Sequence, residues 1–221
     1  MNRNFILKGL LVLSMFFIVV CGYFFFKGEV QINNMKKLSQ RSYQMAEKNK
    51  DIQIKSFVNL SSDEESNERP TEQQISDAIK NISKVQEQLV GTIQISAINL
   101  NLAILIGSSY NNMLYGACTT ENNDIQNLET GRGNLTLSSH NTGTQNMLFT
   151  SIVNIPYGSE ITVRNYEGKS FKYSVDKKYK IEADKKEEVV RENSDNILTL
   201  ITCDIPYKTQ YRDIVVASRV E

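Results

Sequence analysis

The chain has 221 residues, enough for one ordinary domain plus appendages. Lysine and arginine total 25, as do aspartate and glutamate, so the formal net charge is zero and the basic surface that nucleic-acid binding requires is excluded. Three cysteines and one histidine, without a CxxC pair or a histidine cluster, exclude a disulfide scaffold and a dedicated zinc site.

Residues 9–26 read GLLVLSMFFIVVCGYFFF, with no charge in the run. A helix of roughly 20 apolar residues spans the hydrocarbon core of a bilayer. Arg3 and Lys8 precede the run and Lys27 follows it. The balance favours a cytoplasmic N-terminus and an uncleaved single-span anchor over residues 1–27. A cleaved secretory leader would occupy the same place, but the run exceeds a usual leader core and no small-x-small cleavage site follows it. On either reading the rest of the chain leaves the cytoplasm.

Residues 29–67 are polar, and SSDEESNERP, over 61–70, reads as a linker. Thr71 with Gln74 three residues later resembles a capping box. Ile75, Ile79, Ile82, Val85 and Leu89 follow at helical spacing. The pattern predicts an extracellular stalk over 28–90 whose helix, about 72–90, packs its stripe on the domain that follows.

From Gly91 the texture becomes strand-like. Alternation runs through Ile93 and Ile95, then Leu100, Leu102 and Ile104, then Leu135 and Leu137. It resumes at Ile161 and Val163 and at Phe171, Tyr173 and Val175. NILTLITC and RDIVVASRV are continuously apolar and β-branched, as deeply buried strands are. The fold class predicted for 91–221 is mainly β: a closed barrel of seven to eight strands, with short helices, which leaves no exposed edge. One short helix is expected over 146–155, where Leu148, Phe149, Ile152 and Ile155 share a face.

Cys203 ends a predicted strand just before a polar loop, a place where a rigid scaffold presents reactive groups. Position alone fits a buried structural thiol equally well. His140, the single imidazole, also sits at a strand end, before the turn-prone NTGTQN. Lone histidines are commonly incidental, yet a cysteine nucleophile needs a proton-transfer partner near neutral pH, and this chain offers one imidazole. Arg212 opens the strand after the Cys203 loop, so an antiparallel hairpin sets it opposite Cys203. Arg219 lies seven residues further, roughly 23 Å away. A guanidinium at Arg212 suits an acyl-transfer oxyanion or a substrate backbone, although an edge-strand arginine in solvent fits the same position.

The stretch LTLITC, a loop, then YRDIVVASRV closely resembles the sortase signature of a TLxTC motif followed by an arginine that opens the last strand. LTLSSHNTGTQNMLFTSIVNIPYGSEITV resembles the family's catalytic-histidine segment. The likeness covers most of 91–221, and an N-terminal span before an extracellular catalytic domain resembles class A sortases. The resemblance implies Cys203 as nucleophile, His140 as catalytic histidine and Arg212 as catalytic arginine. It implies that Thr202 helps form the oxyanion hole and substrate groove. It also implies cleavage of an LPxTG-type sorting signal between Thr and Gly, a thioacyl enzyme, and transfer to an amine of a peptidoglycan precursor. The implied partners are LPxTG-type surface proteins, that amine and the bilayer.

Further residues carry over from the same resemblance. Residues 178–196 match a recognition loop, with Ile181, Val189 and Val190 facing the groove. Ala117 and Cys118, in YGACTTENN, match small residues close to the site. Cys118 is either a small buried residue or the partner of a reversible disulfide with Cys203. Glu121 and Asp124 match a calcium region, but with Asn122 and Asn123 they fall short of the six to eight oxygens calcium takes, so no cofactor is expected. Ser139 stands where many relatives have glycine, and SAINLNLAIL lacks their proline. A hydrolytic membrane-tethered cysteine protease, a non-catalytic binding module and a pilus polymerase are the rival roles; the absence of an obvious lid in the stalk favours a housekeeping anchoring enzyme.

Overall fold

A computed structural model describes residues 3–48, 70–121, 123–185 and 196–220. Among these, eight strands close into a barrel: β1 (Leu89–Ile95), β2 (Leu100–Leu105), β3 (Gly116–Thr119), β4 (Asn134–Ser138), β5 (Glu160–Asn165), β6 (Ser170–Glu182), β7 (Ile197–Cys203) and β8 (Tyr211–Arg219). The order around the wall is β1-β2-β3-β4-β7-β8-β6-β5, closed by antiparallel pairing of β5 with β1. β2 with β3 and β4 with β7 are the parallel pairs.

The alternating strands β5 and β6 bury Ile161, Val163, Phe171, Tyr173 and Val175 inside and turn their polar neighbours outward. β4 and β7 are buried on both faces, which is why their sequences are continuously apolar. β3 has no counterpart in the sequence pattern. GACT is too short to show a period, and Gly116 is there because a Cβ would collide with the Ala103 carbonyl oxygen of the neighbouring strand.

α1 runs from Arg3 to Lys48 without a break, 46 residues or about 69 Å. Its apolar part has a mean hydropathy of 2.2 and is long enough to cross a membrane. The helix then continues through the segment read as a polar stalk. Ile32, Met35, Leu38, Ser42 and Ala46 recur at three- and four-residue steps and form one face against the barrel. Leu38, 1% exposed, packs in a cluster with Ala78, Val85, Leu89, Leu105 and Leu114. Gln31 donates to the Pro70 carbonyl at 2.9 Å, and Tyr43 meets Gln94. The stripe is diluted by lysine and glutamine, so polarity alone conceals it.

Because Leu38 is almost wholly buried, Leu38→Ala is expected to cost about 2–5 kcal/mol through lost transfer energy and the cavity left behind. Thermal unfolding of the detergent-solubilised chain checks this; an unchanged Tm would mean that α1 is not bound to the barrel.

α2 spans Glu72–Asn81, with the capping box in place: Gln74 N–H donates to Thr71 Oγ1 at 3.2 Å and Thr71 N–H to Gln74 Oε1 at 2.8 Å. The expected helix to residue 90 is shorter. Residues Ile82–Gln88 tighten into a 3-10 helix and Leu89 already belongs to β1. Ile79, Ile82 and Val85 recur every three residues, which is the 3-10 period. The helix expected over 146–155 is also corrected, to turns and a 3-10 turn at Ile152–Asn154. Asn146 and Leu148 adopt positive φ, at 58° and 47°, and Thr150 and Ser151 hydroxyls accept from the backbone N–H groups of Thr142 and Asn146. Leu148, Phe149, Ile152 and Ile155 still enter the core, as plugs at the barrel end.

Candidate active site

β4 and β7 run parallel, with Ser138 level with Ile201. Past the end of that ladder the strands stay together. Ser139 N–H donates to the Ile201 carbonyl at 3.2 Å, and Thr202 Oγ1 donates to the Ser139 carbonyl at 2.9 Å. Carrying the register forward two residues sets His140 one strand spacing, about 4.8 Å, from the Cys203 backbone. On the other side, Cys203 pairs directly with Arg212 of β8. Ile201, Ile214 and Val216 form a cluster on the outer face of the wall, while Leu198, Leu200, Val215 and Ala217 face the core. Cys203 and Arg212 follow that alternation outward. The histidine just past β4, the cysteine that ends β7 and the arginine of β8 thus occupy neighbouring backbone positions.

Cys203 is half-buried, and Asn141 Nδ2 donates to its carbonyl at 2.9 Å. Arg212 is 4% exposed and donates from Nη1 to the Tyr211 carbonyl at 3.0 Å. Arg219 lies at the far end of the barrel, against the Phe171 ring and the Gly131 carbonyl. His140 is 9% exposed; its Nε2 lies 3.0 Å from the Tyr110 carbonyl, and the Tyr110 ring packs edge-on at 4.6 Å. Burial pushes the imidazole pKa down to about 4, against a smaller upward pull from the Tyr110 carbonyl. The ring is therefore neutral at pH 7.

A measurable consequence follows from linkage. The depressed value means that His140 contributes stability above its ordinary pKa of 6.5, and this is lost as pH falls through about 4. The stability difference between wild type and His140→Asn is expected to grow by about 3 kcal/mol from pH 4 to pH 6.5. Chemical denaturation across that range checks it; a constant difference would place His140 in water. Buried Asp124, pushed up to about 6, contributes the opposite slope between pH 3.8 and 6 in both proteins and cancels in the difference.

The remaining sequence-derived candidates fall in different places. Ile181 pairs with Arg212 from β6 and packs on the outer apolar cluster, beside the three residues. Val189 and Val190 lie outside the described residues. Thr202 is 3% exposed, and its hydroxyl stitches β7 to the His140 strand. Ser139, in place of glycine, uses its hydroxyl on the Gly116 carbonyl at 2.7 Å.

Two substrate-contact expectations are corrected. Ala117, 0% exposed, is part of the barrel core; Cys118, 0% exposed, faces the cluster under α1 and α2. Neither offers surface to a peptide. Burial pushes the Cys118 thiol far above its ordinary range. Cys118 pairs with Ser138, so it stands two strands and two residues from Cys203. That is about 12 Å between Cα atoms, beyond disulfide reach without backbone movement.

The calcium candidates are corrected likewise. Asp124 is 0% exposed and accepts from the backbone N–H groups of Thr120, Glu121 and Thr136 at 2.7–2.8 Å. It ties the start of α3 (Asp124–Thr130) to β4, and Glu121 is exposed. Among the described residues no group of three or more His, Cys, Asp or Glu side chains could hold a metal.

The structure adds residues that sequence reasoning missed. Tyr110 and Asn141 contact the histidine and the cysteine carbonyl; Asn141 adjoins His140 in sequence, whereas nothing local marks Tyr110. Lys180 on β6 pairs with Asp204 at 2.7 Å, and Asp204 also accepts from Thr209. Burial pushes the Asp204 carboxyl up, but Lys180 and Thr209 outweigh it and hold it below the usual range. This latch braces the loop that follows Cys203.

The closed barrel thus carries a strand-end cysteine, with a histidine just past β4 and an arginine of β8 at the neighbouring backbone positions. Residues 93–220 match the family model described as Sortase domain, and the chain belongs to the sortase family. It is 32% identical over 139 residues to Sortase A of Bacillus anthracis, covering 63% of each chain. The solved structure of sortase A from Listeria monocytogenes matches with a TM-score of 0.56 at 28% identity, over 61% of this chain and 88% of that one. A Clostridium perfringens sortase C, solved with the C-terminal cell wall sorting motif, shares the fold at 21% identity and a TM-score of 0.52, over 86% of this chain and 88% of that one. The chain thus spans less than two thirds of the Bacillus anthracis relative's length.

Proposed function

We propose that this chain is a membrane-anchored transpeptidase that cuts an LPxTG-type sorting signal between Thr and Gly and passes the acyl group to an amine of a peptidoglycan precursor. The single observation that carries the reading is the pairing of Cys203 with Arg212 of β8, with His140 two residues past the end of β4 on the other side of β7 and Cys203 half-buried. His140 takes the Cys203 thiol proton, and the thiolate attacks the Thr carbonyl carbon, forming a C–S bond and a tetrahedral oxyanion. Arg212 and nearby backbone N–H groups stabilise that oxygen. Collapse breaks the C–N bond, and His140 delivers a proton to the departing glycine amine. The acceptor amine then attacks the thioester and gives a proton to His140, which returns it to the Cys203 sulfur as the C–S bond breaks.

The apolar stretch of α1 anchors the enzyme with its N-terminus in the cytoplasm and the barrel outside. The resemblance to the Clostridium perfringens protein supports a sorting-motif peptide as the substrate class. A panel of LPxTG-variant peptides, with and without added amine, tests the proposal. A peptide ligated to the amine is the expected product. Free acid alone, even with saturating amine, would make the enzyme a hydrolase, and no cleavage of any panel member would overturn the substrate class.

A further inference from the structure

The loop between β2 and β3 reaches over the catalytic face and meets His140. Its Tyr110 carbonyl lies 3.0 Å from His140 Nε2, and its ring stands edge-on to the imidazole at 4.6 Å and 65°. A backbone carbonyl only accepts hydrogen bonds, so Nε2 must carry the proton. A neutral imidazole has one N–H, which leaves the lone pair on Nδ1.

The loop itself is held from several sides. Asn112 Nδ2 donates to the Ile106 and Gly107 carbonyls at 3.0 and 3.1 Å, and Gly107 N–H donates to Thr119 Oγ1 at 3.0 Å. Leu114 is buried in the cluster with Leu38 of the anchor helix, and Tyr115 OH donates to the Ala78 carbonyl of α2 at 3.0 Å. The acceptor for Nε2 is therefore fixed before any substrate arrives.

We infer that Tyr110 is a positioning residue that fixes the proton of the resting imidazole on Nε2 and makes Nδ1 the atom that exchanges protons with Cys203 and the leaving amine. This rests on the proposed role of His140 for its catalytic consequence, but not for its structural content. Nδ1 gains the thiol proton while Nε2–H stays on the Tyr110 carbonyl, and Nδ1 then loses that proton to the departing amine. The Tyr110 ring packs edge-on against the imidazole, and no side-chain acceptor has to titrate for the tautomer to hold.

The chain's single histidine makes the test direct. Full-length protein in detergent, labelled with 15N-histidine, gives one imidazole pair in a long-range 1H–15N spectrum at pH 7. The expected spectrum shows a protonated Nε2 and an unprotonated Nδ1. Tyr110→Phe is expected to keep that pattern, since the ring edge and carbonyl remain. Tyr110→Gly removes the ring packed on the imidazole and frees the backbone that carries the carbonyl, so both nitrogens are expected to move toward the values of free histidine, and kcat to fall about 10-fold or more with KM unchanged. A protonated Nδ1 in the wild type overturns the inference without any variant. So does a Tyr110→Gly protein with an unshifted spectrum. If no peptide is cleaved but the wild type shows Nε2–H, the transpeptidase reading has failed while the tautomer assignment stands.

Discussion

Replacement of Cys203 by alanine is expected to lower peptide cleavage by a factor on the order of 10⁴ or more, as removal of an attacking nucleophile does. No second thiol can substitute. Cys118 is fully buried, faces the helices and sits about 12 Å away. Cys21 lies in the apolar stretch of α1, remote in sequence from the barrel. The alanine protein keeps the barrel, because Cys203 ends a strand whose ladder partners are unchanged. Turnover of a fluorogenic LPxTG peptide gives the rate. Intact mass of the protein after substrate addition gives the acyl enzyme, expected in wild type and absent in Cys203→Ala. Wild-type cleavage by the variant would end the transpeptidase proposal.

The second large effect is expected at Arg212. Arg212 is almost entirely buried and pairs with Cys203 across the β7–β8 ladder, so in the proposed mechanism its guanidinium would act at short range in a medium of low dielectric. Losing one oxyanion donor of this kind costs about 10²–10³ in rate. Arg212→Lys is expected to fall in that range. An ammonium is a compact point charge and does not reproduce a planar fork of donors anchored on the Tyr211 carbonyl. Arg212→Met separates chemistry from folding. It keeps the side-chain length but removes the charge and the donor to the Tyr211 carbonyl, so it is expected to lose activity to the same degree, with its Tm reporting what the guanidinium contributes to folding. Paired kcat/KM and Tm measurements decide it. A Lys variant with the wild-type rate would remove the guanidinium from the mechanism.

The sequence carried much of the barrel because strand periodicity is local. Ile161 and Val163, or Phe171, Tyr173 and Val175, alternate because each residue must choose between a dry interior and water, and neighbours choose oppositely. The capping box at Thr71 and Gln74 is legible for the same reason: both partners lie within one turn. Hairpin geometry also made the Cys203–Arg212 pairing legible, since one short loop sets the register. The helix expected over 146–155 failed because apolar spacing alone does not reveal that Asn146 and Leu148 take positive φ. The stalk concealed a docked helix because its stripe of Met35, Leu38 and Ala46 is sparse, and only the barrel surface gives it a partner.

By itself, then, the sequence determined the strand pattern, the apolar N-terminal helix and the identity of the thiol, imidazole and guanidinium that can meet. The tertiary structure alone decided which of their neighbours reach the site. Ala117 turned into the core, Cys118 toward the helices and Asp124 onto backbone N–H groups, while Tyr110, thirty residues before His140, came to hold its ring. The physical reason is that burial and hydrogen-bond partners depend on pairings such as Ser138 with Ile201, which span sixty-three residues and leave no local period to read.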